Sequence, residues 1–208
     1  MILSEMFDHV TAILRKSQNP VASFLEMVDL GESLCADPIW NELRAIDKHN
    51  EVARFSEWFR AMLVKHPLPG EFSGIWLTEG LPADDETVGM VNVFGLYVIG
   101  PNDYDFSAWQ NNYEYAFKSE VMTSIRCHTG PAMDAPGVVD DLAGFMLSLG
   151  WCSLLGDHVG SCVEFDLLRP EGRDKSVFVA GFASGNREIA VGIKYPDKWV
   201  RGASPSDC

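Results

Sequence analysis

A chain of 208 residues, 47% hydrophobic and 22% charged, is long enough to bury a sizeable core, and this composition excludes an intrinsically disordered or disulfide-stapled protein. No stretch approaches the roughly 20 consecutive apolar residues of a membrane span. The opening MILSEMFDHVTAILRK has acids early, without the basic start and unbroken apolar run of a secretory signal, so a cytoplasmic protein is expected.

Taken in order, residues 1–66 read as helical. Val10, Ile13 and Leu14 recur at helical spacing, as do Val21, Phe24, Leu25 and Val28. Asn19 followed by Pro20 is a helix start and Gly31 a stop; Asp37 and Pro38 repeat the start signal. Val52, Phe55, Phe59, Met62 and Leu63 restore the pattern until HPLPG ends it. From Glu71 the period becomes two. FSGIWLT reads as a strand, LPADDE as an acidic connection, and TVGMVNVFGLYVIG, residues 87–100, as the central strand, buried on both faces and paired antiparallel with the first.

Residues 101–127 mix signals and are read as a loop or short helix followed by a strand within residues 119–127. Val138 to Leu149 form an apolar stripe that Gly150 can close, with Asp140 and Asp141 in its first turns. A three-strand meander at residues 159–168, 175–183 and 187–195 completes the pattern, with Ile189, Val191, Ile193 and Tyr195 on one face of the last strand. The expected fold class is α+β in one domain, residues 1–208. Its helical segment, about residues 1–66, packs on a mainly antiparallel sheet in a sheet-rich part of about residues 71–195.

The five cysteines, an odd number without a CxxC pair, argue for free thiols and against a structural zinc site, so no metal is expected. The segment WCSLLGDHVGSC places Cys152, Asp157, His158 and Cys162 close together, with Cys127 and His128 elsewhere. A thiolate activated by an imidazole that a carboxylate orients is a coherent nucleophilic arrangement. Ordinary buried cysteines are the plainer reading. Glu164 and Asp166 alternate with Cys162 on the expected strand, and there the plain reading is a solvent face. No phosphate loop or dinucleotide fingerprint is present, so no nucleotide cofactor is expected.

The net charge of −14 is unevenly distributed: residues 1–70 carry −3, residues 71–168 carry −13, and residues 169–208 carry +2. Such a field repels nucleic acid and attracts basic proteins. Glu79, Asp84, Asp85, Glu86, Asp103 and Asp105, with Asp140 and Asp141, fall mostly in turns, loops or helix starts, where exposure is expected. The leading expectation is therefore a non-enzymatic acidic protein-binding module for a basic partner, such as a bacterial immunity or inhibitor protein. The alternative is a cysteine-dependent hydrolase using Cys152 or Cys127 with His158 or His128.

Overall fold

Asn19 and Pro20 open a helix as their chemistry requires: in the computed structural model the Asn19 side chain accepts from the amides of Val21 and Ala22 at 2.9 and 3.1 Å. The residues described are 3–80, 88–100, 103–107, 115–129, 147–168, 173–181 and 188–203. The first helices are α1 (Leu3–Lys16), α2 (Pro20–Leu34), α3 (Ile39–Ala45) and α4 (Lys48–Lys65). Asp37 accepts from the Ile39 amide at the start of α3, and Asp47 accepts from the Asn50 amide at the start of α4. Gly31 is not a stop. It lies inside α2, where any side chain would collide with the fully buried ring of Trp40.

Four strands follow, β1 (Gly74–Gly80), β2 (Met90–Gly100), β3 (Asp103–Ser107) and β4 (Ala116–Lys118), and then α5 (Glu120–Thr129). After α6 (Ser148–Cys162) and the single turn α7 (Phe165–Leu168) come β5 (Ser176–Gly181), β6 (Glu188–Lys194) and β7 (Trp199–Arg201). The architecture is α+β, with a seven-stranded sheet in the order β3-β2-β1-β5-β6-β7 and β4 also paired with β2. All pairs are antiparallel except β1 with β5. The expected pairing of β1 with β2 is present, Gly74 opposite Leu96 through Gly80 opposite Met90. Yet β2 is flanked by β1 on one side and by β3 and β4 on the other, which leaves β1 and β5 at the middle of the sheet.

The main core fills the space between the helices and the sheet face carrying Ile75, Leu77, Val91, Val93, Phe178 and Ala180. The opposite face has its own cluster around Trp76, Leu96, Val177, Val179 and Ile193, with Phe106 stacked on Trp76 at 4.6 Å. Helix α6 is the centre of the helical layer. It packs on α2 and α4 as well as on β1, β5 and β6, and Trp151 meets Phe24 edge-on at 4.8 Å. Small residues allow this approach. Gly150 packs against Met27, and Gly156 against Leu77 and Val191.

A buried carboxylate fixes the helices relative to one another. Glu51 on α4, 1% exposed, accepts from Ser119 Oγ at 2.5 Å, from the amides of Glu120 and Val121 at 2.9 and 3.2 Å, and from Trp151 Nε1 at 2.8 Å. Ser119 in turn caps α5 by accepting from the Met122 amide at 3.0 Å. The adjacent helical turn carries Lys48, 3% exposed, whose Nζ donates to the carbonyls of Arg44 and Ile46 at 3.2 and 2.9 Å and so closes α3.

Further expectations are corrected. The loop or short helix expected ahead of residue 119 contains strand β3 instead, because Asp103–Ser107 pairs antiparallel with β2. Residues 119–127 start with a capping serine and continue as helix α5, because Val121, Met122 and Ile125 share the spacing of a buried helix face. Residues 159–168 are not a strand: α6 runs to Cys162 and α7 follows, so the meander is β5-β6-β7. In β6 the alternation breaks at a bulge, where Phe178 pairs with Gly192 and Val179 with Ala190, leaving Val191 as the extra residue. Ile189 and Val191 thus join the helical-side core while Ile193 joins the opposite cluster. The expected helix of residues 138–149 lies mostly outside the described residues.

Replacing Glu51 by Gln puts an amide donor among four donors and removes the charge they bind. Urea denaturation of Glu51→Gln is expected to show a loss of about 3 kcal/mol, against less than about 1 kcal/mol for Glu120→Gln, whose pair with Arg54 is exposed. Equal, small losses would remove Glu51 from its organising position.

Candidate functional site

Cys152, Asp157 and His158 all lie on α6, where each residue turns the chain by about 100°. That rotation sets Asp157 about 140°, and His158 about 120°, away from Cys152 around the helix axis. Their environments differ accordingly. Cys152 is 1% exposed, and burial, followed by the charge of Glu79, pushes its thiol well above the usual value. A thiol held protonated is a poor nucleophile. Asp157 is 5% exposed and directed to β7, where one carboxylate oxygen accepts from Trp199 Nε1 at 2.9 Å and from Arg201 Nε at 2.5 Å. His158 is half-buried, and burial lowers its basicity against the opposing charge of Asp157. The helix therefore spreads the three groups over separate surroundings rather than joining them.

The remaining sulfur and carboxylate candidates are also placed by helices. Cys162 ends α6; it reaches solvent, yet partial desolvation still raises its thiol. Glu164 and Asp166 do not share a strand face with it. Glu164 sits between α6 and α7 and binds Arg60 on α4 through two bonds of 3.0 and 2.7 Å; its own backbone amide and then Arg60 hold its carboxyl below the usual range. Cys35, Cys127, Cys152 and Cys162 form no disulfide with one another. Among the described residues no group of three or more His, Cys, Asp or Glu is placed to hold a metal ion, and no helix is long and apolar enough to cross a membrane.

Among the expected partner-binding acids, Glu79 lies at the end of β1. It is open to solvent but crowded, so desolvation raises its carboxyl above the usual value despite a hydrogen bond with Ser148 and the nearby charge of Arg126. Asp105 is exposed on β3, its carboxylate accepting from the Phe106 amide at 2.8 Å. Asp103 contributes backbone to β3, but its side chain, like Asp84, Asp85, Glu86, Asp140 and Asp141, lies outside the described residues. Several other acids of this region are neutralised by distant bases: Glu120 by Arg54 at 2.9 Å, Glu164 by Arg60 and Asp157 by Arg201.

A groove of about 670 Å³ that sequence reasoning missed runs between α3, α4 and α5. Ala45, Ile46 and Val88 line it with Arg54, Lys118 and Cys127. Two of its hydroxyls are engaged within the protein. Ser119 donates to Glu51, and Thr123 Oγ1 donates to the Ser119 carbonyl at 2.7 Å while accepting from the Gly89 amide at 3.0 Å. Arg54 lies over the Phe117 ring as well as pairing with Glu120. The groove thus offers shape and a charged rim. Exposed Cys127 reaches it, while the side chain of His128 is outside the described residues.

These surroundings separate the thiols experimentally. Cys127 is expected to alkylate in the folded protein and Cys152 only on unfolding. Because the folded Cys152 keeps its proton where the unfolded chain loses it, stability is unaffected by this group below about pH 8.5 and falls above it, by at most about 1.4 kcal/mol per pH unit. Urea titrations at pH 7.5 and 9.5 should show a larger alkaline loss in the unsubstituted protein than in Cys152→Ala. An identical loss in both would contradict a buried, protonated Cys152.

Comparison with models of known protein families, with curated proteins and with solved structures returns no match, so the meaning of these residues rests on their own chemistry.

Proposed function

We propose that this chain is a non-enzymatic protein-binding module that captures a basic protein partner in a reducing cytoplasm, in the manner of a bacterial immunity or inhibitor protein. The observation that carries this reading is the charge distribution, −13 over residues 71–168 in a chain of net −14. Arginines on α4 and β7 neutralise Glu120, Glu164 and Asp157 within the fold. The reading therefore assigns the attraction to Glu79, Asp84, Asp85, Glu86, Asp103 and Asp105. Attraction of this kind acts before contact, raising the association rate, and fades as the screening length drops from about 10 Å at 0.1 M salt to about 3 Å at 1 M.

The second reading, a cysteine-dependent hydrolase, is favoured only by the exposure of the Cys127 thiol in the groove. It requires a thiolate at neutral pH. A pH series of alkylation rates at Cys127 that follows an ordinary thiol removes this reading, whereas a plateau reached below pH 7 supports it over the first.

The binding reading is tested by immobilising the full chain and exposing it to soluble protein from the source cells at 0.1 M and 1 M salt. A captured protein of basic character, lost at the higher salt, is expected. Asp84→Asn combined with Asp85→Asn should slow its association about 10-fold at low salt while leaving thermal stability nearly unchanged. Salt-insensitive capture, or exclusively acidic partners, would leave the charge as a solubility feature.

A further inference from the structure

Lys118 is one of only two bases within residues 71–168, a segment that holds fifteen acids. Despite that surplus of carboxylates, Lys118 is exposed and takes part in no ion pair or hydrogen bond among the described residues. Its side chain lines the groove between α3, α4 and α5. Arg54 lines the groove as well. Its guanidinium lies over Phe117, 5.6 Å from the ring centroid, and donates one bond of 2.9 Å from Nη1 to Glu120, which leaves Nε and Nη2 with hydrogens for a further acceptor. Of the two acids in the lining, Glu120 is paired with Arg54 and Glu42 is engaged. The uncommitted charge of the groove is therefore positive.

The rest of the lining decides what sort of anion fits. Ala45, Ile46 and Val88 make an apolar side. The hydroxyls of Ser119 and Thr123 donate within the protein, and the amides of Glu120 and Val121 are bound by Glu51. A sugar or nucleotide, polar over most of its surface, would leave many of its groups facing alkyl carbon without a partner. A molecule with an apolar body and one anionic end matches both parts of the lining, and a volume of about 670 Å³ is that of a small-molecule site. One charge suits the groove better than two, because a single ammonium is uncommitted and the net charge of −14 opposes every added negative charge.

We propose that the groove between α3, α4 and α5 binds a small amphiphilic carboxylate, a monocarboxylic acid with an apolar chain, whose carboxylate is held by Lys118 and Arg54 and whose chain lies along Ala45, Ile46 and Val88. This site does not rest on capture of a basic protein, which is assigned to acids elsewhere. Cys127 lines the same groove and is exposed, so a bound chain covers it. Cys162 is exposed at the end of α6, outside the groove, and Cys152 is buried.

Decanoate is the probe. It is added to the full chain, below the concentration at which it aggregates, while iodoacetamide labels the thiols and mass spectrometry reads the rate at each cysteine. Decanoate is expected to slow labelling of Cys127 saturably and to leave Cys162 unchanged. Decanol, which has the chain without the charge, is expected to protect at least about 10-fold more weakly. Lys118→Ala should weaken decanoate by about the same factor, and Lys118→Arg should restore it. The comparison with decanol uses the unsubstituted protein, so it stands even where Lys118→Ala does not fold. Protection that is absent, that decanol matches, that Lys118→Ala leaves unchanged, or that comes with labelling of Cys152, the mark of unfolding, overturns the proposal.

Discussion

The carboxylate of Glu51 is the constraint on which the helical layer depends. An ion in the interior is tolerated only when its charge is met by fixed donors, and here the donors come from two places, the start of α5 and the middle helix α6. Two amides at the start of α5 present the positive end of that helix, Ser119 supplies a hydroxyl, and Trp151 supplies its indole from α6. A carboxylate that must satisfy all of them leaves α4, α5 and α6 one mutual arrangement. That arrangement determines where the groove opens, since α4 and α5 form its walls, and it turns α6 so that Cys152 faces the core and Asp157 faces β7. Lys48, one helical turn earlier, is desolvated and has its pKa lowered for the same reason that Glu51 needs partners: both are charged groups enclosed at the α3–α4 junction.

Charge counted along the chain and charge arranged in space are different quantities. The segment from 71 to 168 contains only two bases of its own, yet the fold brings Arg54 and Arg60 from α4 and Arg201 from β7 onto its acids. These pairs join α4 to α5, α4 to the α6–α7 junction, and α6 to the sheet edge. The exposed ones contribute little to stability individually. Asp157 differs because its carboxylate is enclosed, and loss of its donors would leave a buried charge without a partner.

The legible part of the fold was the part governed by local chemistry. Asn19 with Pro20 marked a helix start because its side chain satisfies amides two and three residues ahead, and β2 was visible because Val, Phe and Tyr alternate across a pleated surface. Helix α6 was hidden for a physical reason: it is buried all round, so it lacks a polar stripe, and its glycines resemble breaks when they are contact points for Met27, Leu77 and Trp199. Gly31 misled in the same way. The bulge at Val191 arises from pairing with β5, which no alternation within β6 can reveal. Grouping Cys152 with His158 followed nearness in sequence, but on a helix residues six apart point in different directions. Glu51 carried no local signal, because its donors are 68 to 100 residues away.

The parallel pairing of β1 with β5 sets an order on how the chain can assemble. Gly74 lies opposite Val177, so a strand at the middle of the sheet waits for about 100 further residues before its second neighbour exists. At a synthesis rate of roughly 5–20 residues per second, that interval lasts about 5–20 s. Until then the hairpin of β1 and β2 presents Ile75, Trp76 and Leu77 along an open edge, the kind of surface that pairs with whatever strand is near. During biogenesis the vulnerable edge of this protein is thus one that the finished molecule does not possess, and the interval before β5 arrives is when protection by a chaperone would have the greatest effect.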